Sequence, residues 1–343
     1  MIARLAIAAE ALDDLAQLGT RGAKREHERL LQLVREHGAL VFADGEAATQ
    51  FLRRVREGSS PLPAGVGKRW NELVIDFHKA NRMRVAEPSL APPLRSARFE
   101  EVSPAWAQAV DVAVIDGDTA TALGVPDEDG LLTDSATGFE VALADSIGQT
   151  NHLTRIKRLR DKGFHPEGAL REEFWGEVVF PIWDVSSRAT VLDRYLFKQI
   201  WRGARNEQLQ WLIQRLAGAT VRRPRRITLI GEALADCQVN LDQVLQVVDE
   251  ACRGGVVDKV TVKLVPPPGR GQTPHLPHER HIRFDNAAVF LGPGFDRLSR
   301  SKVTAHDGLH WDYRWSPEAL TALRAVEDRA ARASGVQDAT WTP

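Results

Sequence analysis

The chain has 343 residues, with 45 Lys and Arg against 46 Asp and Glu, a formal net charge of −1. No global field therefore draws it to nucleic acid or to an anionic membrane, and any such binding has to come from local patches. A hydrophobic fraction of 43% with 27% charged residues is that of a folded globular protein and excludes a disordered or fibrous chain. Cys237 and Cys252 are the only cysteines, too few for a disulfide framework or a cysteine zinc site. No stretch approaches the roughly 20 apolar residues of a membrane span, and the apolar N-terminal run is broken by Arg4 and Glu10. A cytoplasmic protein without a transmembrane segment is expected, and at this length two domains.

Residues 1–18 read as a short strand and a helix, and 24–37 as an amphipathic helix with Leu30, Leu31 and Val34 on one side. Residues 39–43 form a compact buried strand, followed by Asp44-Gly45 and a helix carrying Ala48, Phe51, Leu52 and Val55. After a loop at 59–65, Trp70, Leu73, Val74 and Phe77 fall at core spacing in a helix from about 66 to 81. A proline-rich connection at 87–94 leads through Trp106 to a strand at 111–115, which ends in Asp116-Gly117-Asp118. A third strand at 139–143 precedes Asp145. This rhythm of strand, cap and helix predicts a small α/β domain over residues 1–150. Carboxylates at strand ends are where a metal-dependent nuclease of the PIN type collects Mg²⁺ ligands, so Asp44, Asp116, Asp118 and Asp145 are an alternative catalytic set. Each also stands where a helix cap or turn would put it. No other metal or cofactor is expected.

Residues 151–164 read as a basic linker helix with Leu153, Ile156 and Leu159 as its apolar stripe, closed by Gly163. In the second domain, residues 165–343, a helix-like segment at 170–183 precedes a strand at 189–192 and the sequence Asp193-Arg194-Tyr195. Helices are predicted at 209–216 and 241–251, and strands at 227–230, 257–265, 280–284 and 288–291, giving a mixed α/β sandwich. Arg222, Arg223, Arg225 and Arg226 form the densest basic cluster; with the connecting loop exposed they would offer a surface to a phosphate backbone or lipid head group. His275, His278, His281, His306 and His310 raise the question of zinc, but strand alternation sends His278 and His281 to opposite faces. Trp311, Tyr313 and Trp315 alternate as a strand or anchor, and Pro317 opens a final helix to about residue 332.

Residues 275–296 carry the most specific signal. A strand would set His278 and Arg280 side by side, the one a nucleophile or proton carrier near neutral pH and the other able to grip two phosphate oxygens, with Asp285 placed to hold the imidazole in one tautomer. His278-Glu279-Arg280, Asp285 and the turn Gly292-Pro293-Gly294 resemble the His-x-Lys-x4-Asp signature of the phospholipase D superfamily. The closer similarity is to the phospholipase-D-like C-terminal domain of MIT-domain proteins, which carries a His-x-Arg version and a Gly-x-Gly turn. The resemblance covers roughly residues 165–315 and takes in Asp193-Arg194-Tyr195. It departs at Arg280, where the catalytic lysine stands, and at Pro293 and Phe295, and no second copy of the signature is present.

The resemblance implies phosphodiester recognition by His278, Arg280 and Asp285, with Arg283, Gly292, Gly294 and the arginine cluster as phosphate-binding groups. Nucleic acid is the expected ligand. In catalytic relatives two histidines meet, one attacking phosphorus and the other protonating the leaving oxygen, without a metal. A chain with one copy would need a homodimer to act as a nuclease. A lipid head-group-binding or purely structural dimerisation module is the remaining alternative. An α/β module joined to such a domain is similar in architecture to effectors of bacterial anti-phage defence, which implies a possible protein partner in a multi-component system.

Overall fold

The computed structural model describes residues 1–56, 62–63, 65–198, 200, 207–218, 225–233, 239–268, 276–278, 280–292, 294–303 and 308–343. The fold is α/β, and the chain divides into two compact units, Ile2–Arg158 and Leu159–Pro343, the latter with Met1.

The first unit runs β1 (Ala3–Ile7), α1 (Ala9–Asp14), α2 (Gly19–His37), β2 (Gly38–Phe42), α3 (Gly45–Arg56), α4 (Val66–Lys79), β3 (Met83–Val85), α5 (Phe99–Trp106), β4 (Val112–Ile115), α6 (Gly117–Leu123), β5 (Leu131–Thr133) and β6 (Glu140–Leu143). Its sheet has the order β3-β2-β1-β4-β6-β5, parallel except for β5 on β6. β2 and β4 are buried along their whole length, as strands of a parallel sheet covered on both faces must be. The chain moves outward from β1 to β3, then returns to add β4 on the other side of β1, so the sheet is doubly wound. α4 stops short of the predicted boundary because Asn81 adopts a left-handed φ of 55°. Arg82 follows and turns back under α2, donating to the carbonyl oxygens of Val34, Arg35 and Gly38 at that helix's end.

The second unit contains β7 (Phe164–His165), α8 (Arg171–Phe174), α9 (Phe180–Asp184), β8 (Arg188–Leu192), α10 (Glu207–Ala217), β9 (Arg226–Glu232), α11 (Leu241–Cys252), β10 (Lys259–Val265), β11 (Arg280–Phe284), β12 (Ala288–Leu291), β13 (Leu309–Arg314), α12 (Pro317–Ala331) and β14 (Gln337–Trp341). The predicted linker forms α7 (Asn151–Lys162), and the division between the units falls inside it. Its first turn is capped by the buried Glu140 of β6, which accepts the Asn151 and His152 N–H groups at 2.8 and 2.9 Å.

Eight strands make one sheet in the order β14-β10-β9-β8-β11-β12-β13-β7. β8, β9 and β10 are parallel, while β11, β12 and β13 form an antiparallel meander against β8. α12 lies on one face, burying Leu320 and Leu323 against Ala288 and Phe290, and Ala330 against Leu192, Ile230 and Val265. The predicted helix at 170–183 is instead two short helices flanking a π-helical turn at Trp175–Val179, just before Pro181, which lacks an N–H to continue the ladder. β3, β5, β7 and β14 are absent from the sequence reading; they have two to five residues each and mostly half-buried or exposed positions, so they carry no clear apolar alternation. Among the described residues no helix is long and apolar enough to cross a membrane.

Candidate functional site

In the second unit, β8 is followed directly by Asp193, which is 1% exposed. Its carboxylate accepts the Tyr195 N–H at 2.8 Å and the Phe295 N–H at 3.3 Å, and stands 3.4 Å from Nε of Arg280. Burial pushes the Asp193 carboxyl above its ordinary range, with these N–H groups and the arginine acting the other way. Arg280, the first residue of β11, also lies 3.8 Å from Asp296 and 5.1 Å above the Tyr195 ring. The guanidinium passes so close to Gly294 that a Cβ there would collide with it, and Gly294 has φ 90° and ψ −179°, a conformation that glycine alone adopts with ease. Asp193, Tyr195 and the turn after β12 thus fix one guanidinium.

Beside it opens a pocket of about 500 Å³ lined by His278, Arg280, Gly292, His310, Asp312 and Arg314, with Phe290 and Trp311 among its walls. The β13 sequence alternates strictly, Leu309, Trp311 and Tyr313 inward and His310, Asp312 and Arg314 outward, which puts an imidazole and a guanidinium on one exposed edge. Arg314 lies 4.3 Å over the Phe290 ring and 2.9 Å from Asp312, the His310 ring packs 4.9 Å from Phe164, and the Gly292 N–H donates to the His310 carbonyl at 3.2 Å. The register sets Arg280 on the face of Leu291 and Trp311, and His310, Asp312 and Arg314 on the other, so the pocket is lined from both faces; its two guanidiniums and two imidazoles can attract an anion, partly offset by Asp312.

Several residues expected at this site have other work. β11 begins only at Arg280, so the exposed His278 sits in the bend before it and is not held in register by strand alternation. Asp285 lies past the far end of β11, five residues or about 16 Å of extended chain from Arg280. There it accepts the Ser187 and Arg188 N–H groups and pairs with Arg188 at 2.7 Å, so it does not orient His278. Arg283 faces α12, where it pairs with the buried Glu327 and donates to Thr190, and is not a phosphate ligand. His281 shares that face and bonds Glu327 at 3.0 Å. Burial opposes ionisation of Glu327, but the bonds from His281 and Arg283 hold its carboxyl below the usual range.

The two described arginines of the cluster, Arg225 and Arg226, do not form one exposed patch. Arg225 is fully buried, 4.4 Å over the Trp183 ring and donating to the Trp183 carbonyl. Arg226 is exposed at the start of β9, paired with Arg188 of β8, whereas Arg280 stands beside Asp193 at the other end of β8. Arg226 and the pocket therefore lie at opposite ends of the strands. Arg222 and Arg223 lie outside the described residues, as do His275, His306 and Cys237. Cys252 is buried and its thiol is pushed up to about 12, which makes it unreactive.

The four aspartates of the first unit are not a metal set. Asp44 caps α3 through the Ala47 N–H, and Asp116 caps α6 through the Thr119 N–H and hydroxyl. Asp118 pairs with Arg95 on the surface, and Asp145 accepts only from the neighbouring Ser146 among the described side chains. Asp44 and Asp116 do line one cleft, but no group of three His, Cys, Asp or Glu among the described residues converges to hold a metal.

What fold and site define is an α/β protein with a doubly wound unit and a mixed-sheet unit that carries a pocket built from two histidines and two arginines. No family model matches the chain, and no curated protein is significantly similar to it.

Proposed function

We propose that the second unit is a phospholipase-D-like module that binds a phosphodiester group in the pocket of His278, Arg280, His310 and Arg314, and that its ligand is nucleic acid. The observation that carries this reading is a pocket at the end of β12 whose lining includes two imidazoles and two guanidiniums. The fixed position of Arg280 supports it, since a preset fork loses little freedom on gripping a phosphate. Leu170 is the one strongly exposed large apolar side chain among the described residues of this unit, so the surface offers little to acyl chains, which favours nucleic acid over lipid. Asp312 and Asp296 offset part of the positive charge, so binding is modest and its salt dependence shallow, about one slope unit per arginine.

A second reading, metal-independent phosphodiester cleavage, is favoured by His310 lining the same pocket as His278. One imidazole would attack phosphorus while the other protonates the leaving oxygen, and a single chain would supply both. Homodimerisation and recruitment into a bacterial defence assembly belong to this proposal as partners, and neither is needed for binding.

The test is filter binding and cleavage of labelled single-stranded and duplex DNA and RNA by the wild type, His278→Ala, His310→Ala and Arg280→Ala, with and without EDTA. Salt-sensitive binding lost in Arg280→Ala, without cutting, supports recognition. Cutting that survives EDTA and is lost in both histidine variants supports cleavage. Absence of both sinks the proposal.

A further inference from the structure

The first unit holds a second cavity, unrelated to the phosphodiester pocket. In a doubly wound sheet the connections after the two innermost strands leave in opposite directions, opening a crevice outside their C-terminal ends, the usual ligand position in such folds. Here those strands are β1 and β4, and a cleft of about 350 Å³ lies there, a volume that suits a small organic molecule. Its space exists because the residues around the strand ends are small: Ala6, Ala8, Ala9, Ala43, Ala47 and Ala113 all line it. Leu90, Leu94 and Trp106 supply an apolar wall wide enough for a flat ring.

The charges of the cleft decide the ligand class. Glu10, Asp44 and Asp116 line it against one cation, Arg95, which is already paired with Asp118 at 2.9 Å. A phosphate would meet net negative charge. Nor does the turn after β1 suit one: it reads Ala8-Ala9-Glu10, with side chains where a pyrophosphate-binding turn has glycines. Asp44, at the end of β2, gives one oxygen to the Ala47 N–H, and no partner for its other oxygen is seen among the described residues. A carboxylate at that strand end is suited to accept from the hydroxyls of a ribose.

We infer that this cleft binds an unphosphorylated nucleoside, its ring against Leu90, Leu94 and Trp106 and its vicinal hydroxyls on Asp44, and that it rejects the corresponding nucleotide. The inference is independent of the phosphodiester reading and of His278.

The experiment is equilibrium dialysis of the full chain with labelled adenosine, guanosine, cytidine and uridine, their 5′-monophosphates and their 2′-deoxy forms. At least one ribonucleoside is expected to bind saturably, one per chain, with its monophosphate and its deoxy form each at least tenfold weaker. Ala47→Phe, which fills the cleft from α3, is expected to abolish binding. Asp44→Asn, which can keep the capping bond while losing the charge, is expected to weaken it about tenfold, and His278→Ala to leave it unchanged. Urea unfolding curves report whether each variant is folded. The inference is overturned if no ribonucleoside binds at millimolar concentration, if a monophosphate binds as well as its nucleoside, or if folded Asp44→Asn binds with wild-type affinity.

Discussion

Gly292 and Gly294 look equivalent in the sequence, and the structure makes opposite predictions for them. Gly294 has φ 90° and ψ −179°, a region essentially confined to glycine, so alanine there carries about 1–3 kcal/mol of backbone strain. The added Cβ would also collide with the Arg280 guanidinium, which Asp193 and Tyr195 hold in place from the other side. Gly292 is exposed, has no positive φ, and a Cβ there would meet nothing nearer than the His310 carbonyl at 4.0 Å, so alanine is expected to change stability by less than about 0.5 kcal/mol. Strain in Gly294→Ala can be relieved by shifting the turn and Arg280 with it. The change should then appear as lost stability, lost phosphodiester affinity or both, at about tenfold in affinity per 1.4 kcal/mol. Urea unfolding and fluorescence anisotropy of a labelled oligonucleotide, measured on both variants, separate the two. Gly292→Ala as damaging to stability as Gly294→Ala, or a Gly294→Ala protein unchanged in both assays, would refute the reasoning.

Glu327→Gln removes the charge that His281 and Arg283 share, at exposures of 6% for Glu327 and 14% for Arg283, and should destabilise the second unit by about 3–5 kcal/mol at neutral pH. Because the folded-state pKa of Glu327 lies below its unfolded value, that stabilisation is present above about pH 4.5 and is lost as the pH falls further; acid unfolding of the variant should lack this component. His27 is buried, with Nδ1 accepting from Trp70 Nε1 at 3.4 Å, and burial lowers its pKa to about 4. A lowered histidine pKa means full stability above pH 6.5 and a loss, on the order of 3 kcal/mol, as the pH falls from 6.5 to 4; NMR should find the His27 ring neutral through most of that window and titrating only towards its lower end. Arg225→Ala should lower the urea midpoint while leaving the salt dependence of oligonucleotide binding unchanged, whereas Arg314→Ala should spare stability and flatten the salt slope by about one unit. A salt slope that changes in Arg225→Ala would return that arginine to the binding surface.

The elements that were legible in the sequence are those with their own periodicity. β11 and β12 form over the predicted residues: β12 is a short apolar run buried along its whole length, and β11 sets Ile282 and Phe284 on one face. The roles of Arg283 and Asp285 were not legible, because their partners Glu327 and Arg188 lie 44 and 97 residues away and nothing local announces them. Arg225 misled for the same reason: a guanidinium among three others reads as solvated until Trp183 is found over it. The pocket's second half was within reach. An alternation that turns Trp311 and Tyr313 inward necessarily turns His310, Asp312 and Arg314 outward, and the pairing of β13 with β12 sets His310 beside Gly292, Asp312 beside Phe290 and Arg314 beside Ala288.

The placing of β14 bears on how the second sheet is made. Residues 337–341 pair with Val260–Leu264 on the outer edge of β10, and β10 in turn is flanked by β9 on its other side. During synthesis the β8-β9-β10 trio can assemble as soon as β10 has emerged, yet its outer edge stays open for the roughly 70 residues that separate it from β14, including the whole β11–β13 meander. An open edge of alternating Val and Leu is a template for any other extended chain. The nascent protein therefore has a defined interval in which pairing with a neighbouring copy competes with pairing to its own last strand, and slowing translation across α12 would lengthen that interval without altering the finished fold.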